Sequence, residues 1–194
     1  MSELKVNSIK GVNATSSAIS INNTDGTCTA NITNNLSNRN ILINGGMICN
    51  QRGNVTGQTG TQYNLDRFEL NLSNGGTWSV SQSTDTPDGF GNSCKLDCTT
   101  ADTSLGANDL ALFRQKLEGQ DLQAFSKGTS AAKQFIVSFY VKTNKSGVYT
   151  VELQDNDNDR IASKTFTVSD ANWNRYTLSF PADTTGAFDN DNQE

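Results

Sequence analysis

The chain has 194 residues, 34% of them hydrophobic, and its 20 acidic side chains outnumber 15 basic ones for a net charge of −5. That length suits one domain of ordinary size plus an extension. The acidic balance, with no run of Lys and Arg, argues against binding along a nucleic-acid backbone. The absence of histidine excludes a Ser-His-Asp triad and His-ligated metals.

Sixteen glycines against 2 prolines, with abundant Asn, Thr and Ser, favour short strands joined by polar turns. No window approaches the roughly 20 apolar residues of a membrane helix. The N-terminus is polar, without the apolar stretch of a secretion signal. The expectation is therefore synthesis in a cytosol, reduced thiols and no membrane insertion.

Three weak strand signals fill residues 1–36. Leu4 and Val6 alternate with polar residues, then Ile19 and Ile21, then Cys28, Ala30 and Ile32. Asp25-Gly26 between the second and third is a tight-turn signal. Strands this short are marginal alone, so the segment must find a partner surface or stay mobile as a floppy, tag-like N-terminus. Three copies burying one apolar stripe along an axis would supply such a surface.

The signals strengthen in Leu36-Ser-Asn-Arg-Asn-Ile-Leu-Ile-Asn-Gly-Gly-Met-Ile-Cys-Asn-Gln-Arg-Gly53. Ile41-Leu42-Ile43 reads as the opening strand of a folded β domain, and Asn44-Gly45-Gly46 as a turn. Residues 55–62 read as a polar loop. Phe68, Leu70 and Leu72 alternate with polar residues, and Asn74-Gly75-Gly76 is expected to close a hairpin onto Trp78 and Val80. Cys94, Leu96 and Cys98 share one side of the next strand and face the core. Leu110 to Leu117 is another strand, and residues 119–125 a short helical turn. Phe135, Val137, Phe139 and Val141, with Ile136 and Tyr140 on the other side, read as a central strand. A turn at 144–147 leads to Tyr149, Val151 and Leu153. Phe166 to Val168 and Tyr176 to Phe180 complete eight to ten strands of an all-β sandwich, with a jelly roll the expected topology.

Little here points to chemistry. Glu118, Asp121 and Glu152 are the acids nearest apolar strands, but nothing links any two as an acid/base pair. No glycine-rich phosphate loop leads from a strand into a helix. The reading is not an enzyme, with no catalytic and no metal residues assigned. Asp155-Asn-Asp-Asn-Asp159 begins like a calcium loop but lacks the required Gly and distant Glu. A polar hairpin tip is the expected role, with structural calcium the minor alternative and no other cofactor. Trp78 and Trp173 are the side chains best suited to stack on a sugar, yet both sit in register with apolar strand residues and read as core. Glycan-binding residues stay unassigned.

Five stretches carry a family resemblance. "NRNILINGGMICNQRG", followed by "YNLDRF" at 63–68, resembles the opening of a β-jelly-roll module in tail-fibre proteins of tailed bacteriophages, especially marine ones. "FIVSFYVKTNKSGVYTVEL" (135–153) and "ANWNRYTLSF" (171–180) are similar to its central hairpin and following strand, and "MSELKVNSI" to the start of many such fibres. The resemblance implies a structural virion protein, a homotrimeric tail fibre made in the host cytoplasm. Residues 1–36 would be its virion-attachment and trimerisation segment, and 37–194 its jelly-roll module. The family's module usually runs past the equivalent of Pro181, so the last strands are expected to be missing. Leu4, Val6 and Ile9, the sizeable apolar groups of the first eleven residues, are the expected attachment interface, adding a strand to a tail, baseplate or adaptor protein. A host-surface glycan is the implied receptor. The alternative is a carbohydrate-binding module of a secreted or cell-surface protein.

Overall fold

Alternating apolar and polar residues form thirteen short strands and one brief helical connection in the computed structural model, which describes residues 6–13, 15–30 and 40–191. The chain separates into two units, Met1–Ile41 and Leu42–Glu194. It is an all-β protein built of several antiparallel sheets.

In the first unit, β1 (Ser8–Ile9), β2 (Ile19–Ile21) and β3 (Cys28–Ala30) form an antiparallel meander in which Ile9 lies opposite Ile19, and Ile19 opposite Ala30. The hairpin expected at Asp25-Gly26 is present. Gly26 takes a positive φ of 73° and donates to the Asn22 carbonyl at 2.8 Å. Asp25 accepts the Thr27 amide and hydroxyl at 2.9 and 2.7 Å. The strand expected at Leu4 and Val6 is not formed at Val6, which precedes β1. Leu4 and Ile32 lie outside the described residues.

The second unit opens with two three-stranded sheets. One holds β4 (Val55–Gln58), β7 (Thr77–Ser83) and β8 (Ser93–Thr100) in the order β4-β7-β8. The other holds β5 (Gln62–Tyr63), β6 (Phe68–Ser73) and β9 (Leu110–Gln115) in the order β5-β6-β9. Leu70 and Leu72 of β6 pack with Val80 of β7 and with Leu65, and Trp78, Cys94, Leu96 and Phe113 close around them. Burial of each such aliphatic side chain contributes about 1.5–3 kcal/mol. Burial pushes the Cys94 thiol up to about 12, whereas Cys98, expected on the same core face, is exposed.

Three local expectations are corrected here. Residues 55–62 are not a loop: β4 and β5 form there, and buried amides replace apolar side chains. Asn64 donates to the Gln58 side chain at 3.0 Å and accepts from the Leu70 amide, and Gln58 donates to the carbonyls of Gly60 and Leu70, both at 2.7 Å. Asn74-Gly75-Gly76 is not a hairpin turn, because β5 and β9 occupy both edges of β6. The chain crosses instead to the facing sheet. Gly76, at φ +83°, backs onto the Thr100 carbonyl where a Cβ would collide, and the Trp78 indole N–H is held by the Gly75 carbonyl at 2.7 Å. Ile41-Leu42-Ile43 forms no strand. The Gln115 side chain takes both the amide and the carbonyl of Ile43, at 2.8 and 2.7 Å, and this replaces a ladder.

Beyond a short helix α1 (Gly119–Leu122) and a 3-10 turn (Gln123–Phe125), the second half forms two ribbons. β10 (Phe135–Val141) pairs with β13 (Asn174–Phe180), and β11 (Gly147–Asp155) with β12 (Arg160–Val168). So β10 and β11 are not a hairpin. The pairing is nested, β11–β12 inside β10–β13, and it repeats the nesting of β7–β8 inside β6–β9. Rings drive the choice. Phe139 faces Tyr176 across the ladder, and Phe166 packs against both, at 5.0 and 4.7 Å between centroids. Nor is β10 a central strand: it has one partner among the described residues, and Ile136 and Tyr140 on its outer side are 61% and 38% exposed.

Candidate functional site

The second-unit part of the first sequence motif, residues 42–53, meets the second motif, residues 63–68. Asn44, at φ +58°, donates from Nδ2 to the carbonyls of Cys49 and Asp66, at 2.9 and 3.0 Å, and accepts from the Cys49 amide. The Asp66 carboxylate then accepts the Gln51 amide at 2.8 Å. An Asn suits this work, since its short amide tolerates a left-handed backbone and carries both donor and acceptor. The turn bearing Arg52 is thereby held against the turn bearing Arg67.

The result is a cavity of about 160 Å³ lined by Arg52, Tyr63, Arg67 and Lys116. The Arg52 guanidinium lies 5.7 Å from the Tyr63 ring centre, a cation–π arrangement. Arg67 adopts φ +74° in a tight turn closed by the Phe68 amide on the Leu65 carbonyl at 2.9 Å. Such a backbone is unfavourable for a side chain of this size. The Glu118 carboxylate is 4.0 Å from Arg67, beyond hydrogen-bond length. Beside the cavity, Arg114 donates from Nε and Nη2 to one oxygen of Glu69, at 2.8 and 2.6 Å. Composition gave no hint of a basic cluster. Arg52, Arg67 and Lys116 are spread over 65 positions of an acidic chain, and only the fold gathers them.

A second, open depression of about 650 Å³ is lined by polar groups including Thr59, Asn74, Thr100, Asp102, Ser104 and Asp109. Asp109 accepts from Asn74 Nδ2 and the Gly106 amide, and Asp102 from the Ser104 amide. These bonds shape the wall. Both tryptophans are half-buried. Trp78 packs on the core, and the Trp173 N–H is held by Asp85 at 3.0 Å. Asp85 also accepts from Lys142 at 2.6 Å, and these partners, Lys142 first, hold its carboxyl below the usual range.

Of the expected attachment residues, Leu4 lies outside the described residues, Val6 is half-buried, and Ile9 sits in β1 with 53% of its surface exposed. Val12, which that expectation did not include, is fully exposed. β1 pairs on one side only among the described residues.

The acidic tip at 155–159 is engaged by the protein itself. The Asp155 carboxylate takes the Lys127 ammonium and the Asn158 amide, and Asp157 accepts the Asp189 amide at 3.0 Å. Lys127 also donates to the carbonyls of Thr185 and Gly186, at 3.1 and 2.6 Å. Arg160 forms a two-pronged pair with Asp183, at 2.8 and 3.0 Å. Together they strap residues 183–189 onto the helical connection and the β11–β12 turn. Gly128, at φ +79°, lets that strap approach, since a Cβ there would strike Ala187. No group of three or more His, Cys, Asp or Glu suited to a metal ion occurs among the described residues. No described helix is long and apolar enough to cross a membrane.

No family model matches the chain, and neither a curated protein nor a solved structure is significantly similar to it.

Proposed function

We propose that the chain is a structural virion protein, a homotrimeric bacteriophage tail fibre anchored by its N-terminal unit, whose β module contributes to host attachment. The observation that carries this reading is unpartnered apolar surface on both units. Ile9 and Val12 are exposed, β1 pairs on one side only among the described residues, and Ile136, Val148 and Ile161 of the ribbons are 61, 67 and 63% exposed. Single exposed apolar residues are ordinary, but several on thin two-stranded ribbons favour burial against another copy. The nested pairing supports a jelly-roll order, in which a long hairpin rolls up so that outer pairs enclose inner ones. One short attaching strand binds weakly, and three on a trimer raise overall binding by roughly 10² to 10⁴.

Light scattering on the intact chain tests the assembly. The expected mass is three times 20.9 kDa, and a monomer across the micromolar range sinks the fibre reading. Deletion of residues 2–10 is expected to leave the melting temperature unchanged while abolishing assembly onto fibreless tails. The second reading, a carbohydrate-binding module, draws on the polar depression around Asn74 and Asp109. A monomer with affinity for neutral sugars favours it.

A further inference from the structure

We infer that the cavity between Arg52, Tyr63, Arg67 and Lys116 is a binding site for a sugar residue carrying an oxyanion, either the carboxylate of a uronic acid or a sulfate ester. The cations make the case for the anion. Three of them line one cavity in a chain with net charge −5. Arg52 is in no ion pair among the described residues, and the Glu118 oxygen near Arg67 stands at 4.0 Å, too far for a charge-assisted hydrogen bond. Arg52 and Arg67 therefore bring guanidinium donors to the cavity wall with charge-assisted hydrogen-bond capacity that an oxyanion would fill. Two guanidinium forks also suit a planar or tetrahedral oxyanion better than a lone ammonium does.

The shape argues for a sugar rather than a free ion. Tyr63 gives the cavity an aromatic wall and orients Arg52, and a bare sulfate has no C–H face to set against a ring. A space of about 160 Å³ holds one small group, not a drug-sized ligand. The construction is specific. Arg52 is placed by the Asn44 and Asp66 staples, and Arg67 keeps a left-handed backbone that its own sequence does not favour. Residues held in such conformations cluster at ligand sites. The sugar half of the proposal rests on the host-attachment role proposed above with a surface glycan as receptor, and the anion half stands without it.

The test is calorimetric titration of the intact chain with four probes: methyl glucuronide, glucose 6-sulfate, methyl glucoside and sodium sulfate. We expect one or both anionic sugars to bind at least about tenfold tighter than the glucoside, the contribution of one hydrogen bond to a charged group. They are also expected to bind more tightly than inorganic sulfate and to weaken as salt rises. Which of the two prevails separates uronate from sulfate ester. Arg52→Ala, on an exposed turn, should remove most of that preference. Tyr63→Leu should bring the anionic sugars down to the level of sulfate. The wild-type comparison needs no variant to fold. No heat with any probe, equal binding of inorganic sulfate and the anionic sugars, or affinity untouched by Arg52→Ala each overturns the proposal. The trimer is read by mass, so its failure and the failure of this site are distinguishable.

Discussion

Lys127→Met is expected to destabilise the second unit by about 3–5 kcal/mol, the cost of breaking a buried ion pair from one side. The Lys127 and Asp155 side chains are 6% and 8% exposed. With the ammonium gone, the Asp155 carboxylate keeps one hydrogen bond, from Asn158 at 3.0 Å, while its Oδ1 has no partner. Methionine preserves the stem against Phe188, whose ring centre lies 5.2 Å from Nζ, so packing changes little and the loss is electrostatic. For a unit of this size the melting temperature should fall by roughly 6–20 °C. Urea unfolding followed by tryptophan fluorescence measures the change. Hydrogen exchange should also quicken at Gln120, whose amide is bonded to the Asp191 carbonyl at 2.9 Å, as the strap loosens. The double variant Lys127→Met/Asp155→Leu should recover much of the loss, since no charge is then left buried. A single-variant cost under about 1 kcal/mol, or a double variant worse than the single, would refute the reasoning.

Phe139→Ala should cost about 2–4 kcal/mol by chemical denaturation, because the half-buried ring stitches both ribbons through Phe166 and Tyr176; a shift under about 1 kcal/mol shows the rings to be independent. Alkylation at pH 8 without denaturant should modify the exposed Cys28, Cys49 and Cys98 and spare Cys94, because the thiolate is the reactive form; mass spectrometry reads the difference, and equal labelling of Cys94 contradicts its burial. Stability should be lost in acid. The Asp183 carboxyl lies below its usual range, first because of Arg160 and then the Thr185 amide, and Asp85 lies low as well, through Lys142 first. Folded values below the unfolded ones mean that the unfolded chain binds protons more readily as pH falls. The stabilisation is therefore complete above the unfolded range near pH 4 and disappears as pH drops through the folded values. Asp183→Asn should flatten this acid limb of a pH–melting curve, and an unchanged limb places the linkage elsewhere.

Local chemistry determined which residues are strands and where several turns fall. Period-two alternation marked β6, β7, β10 and β13, because a strand with one buried face has no other way to write itself in sequence. Asp25-Gly26 announced a hairpin because a positive φ needs such residues. Partner choice was not written locally. Asn74-Gly75-Gly76 has the composition of a hairpin turn, yet it carries the chain between sheets, since β5 just upstream and β9 far downstream had claims on the edges of β6. Gln58 and Asn64 looked like loop residues because their amides are polar, and only neighbours that complete their hydrogen bonds make them core. The same holds for charge. Arg52, Arg67 and Lys116 are isolated cations in an acidic sequence, and a cluster exists only once the Asn44 staple and the β5-β6-β9 ladder bring three distant backbones together. Sequence fixes what each residue prefers over a few ångströms, whereas pairing, burial and potential depend on groups far apart along the chain, which the tertiary structure alone makes neighbours.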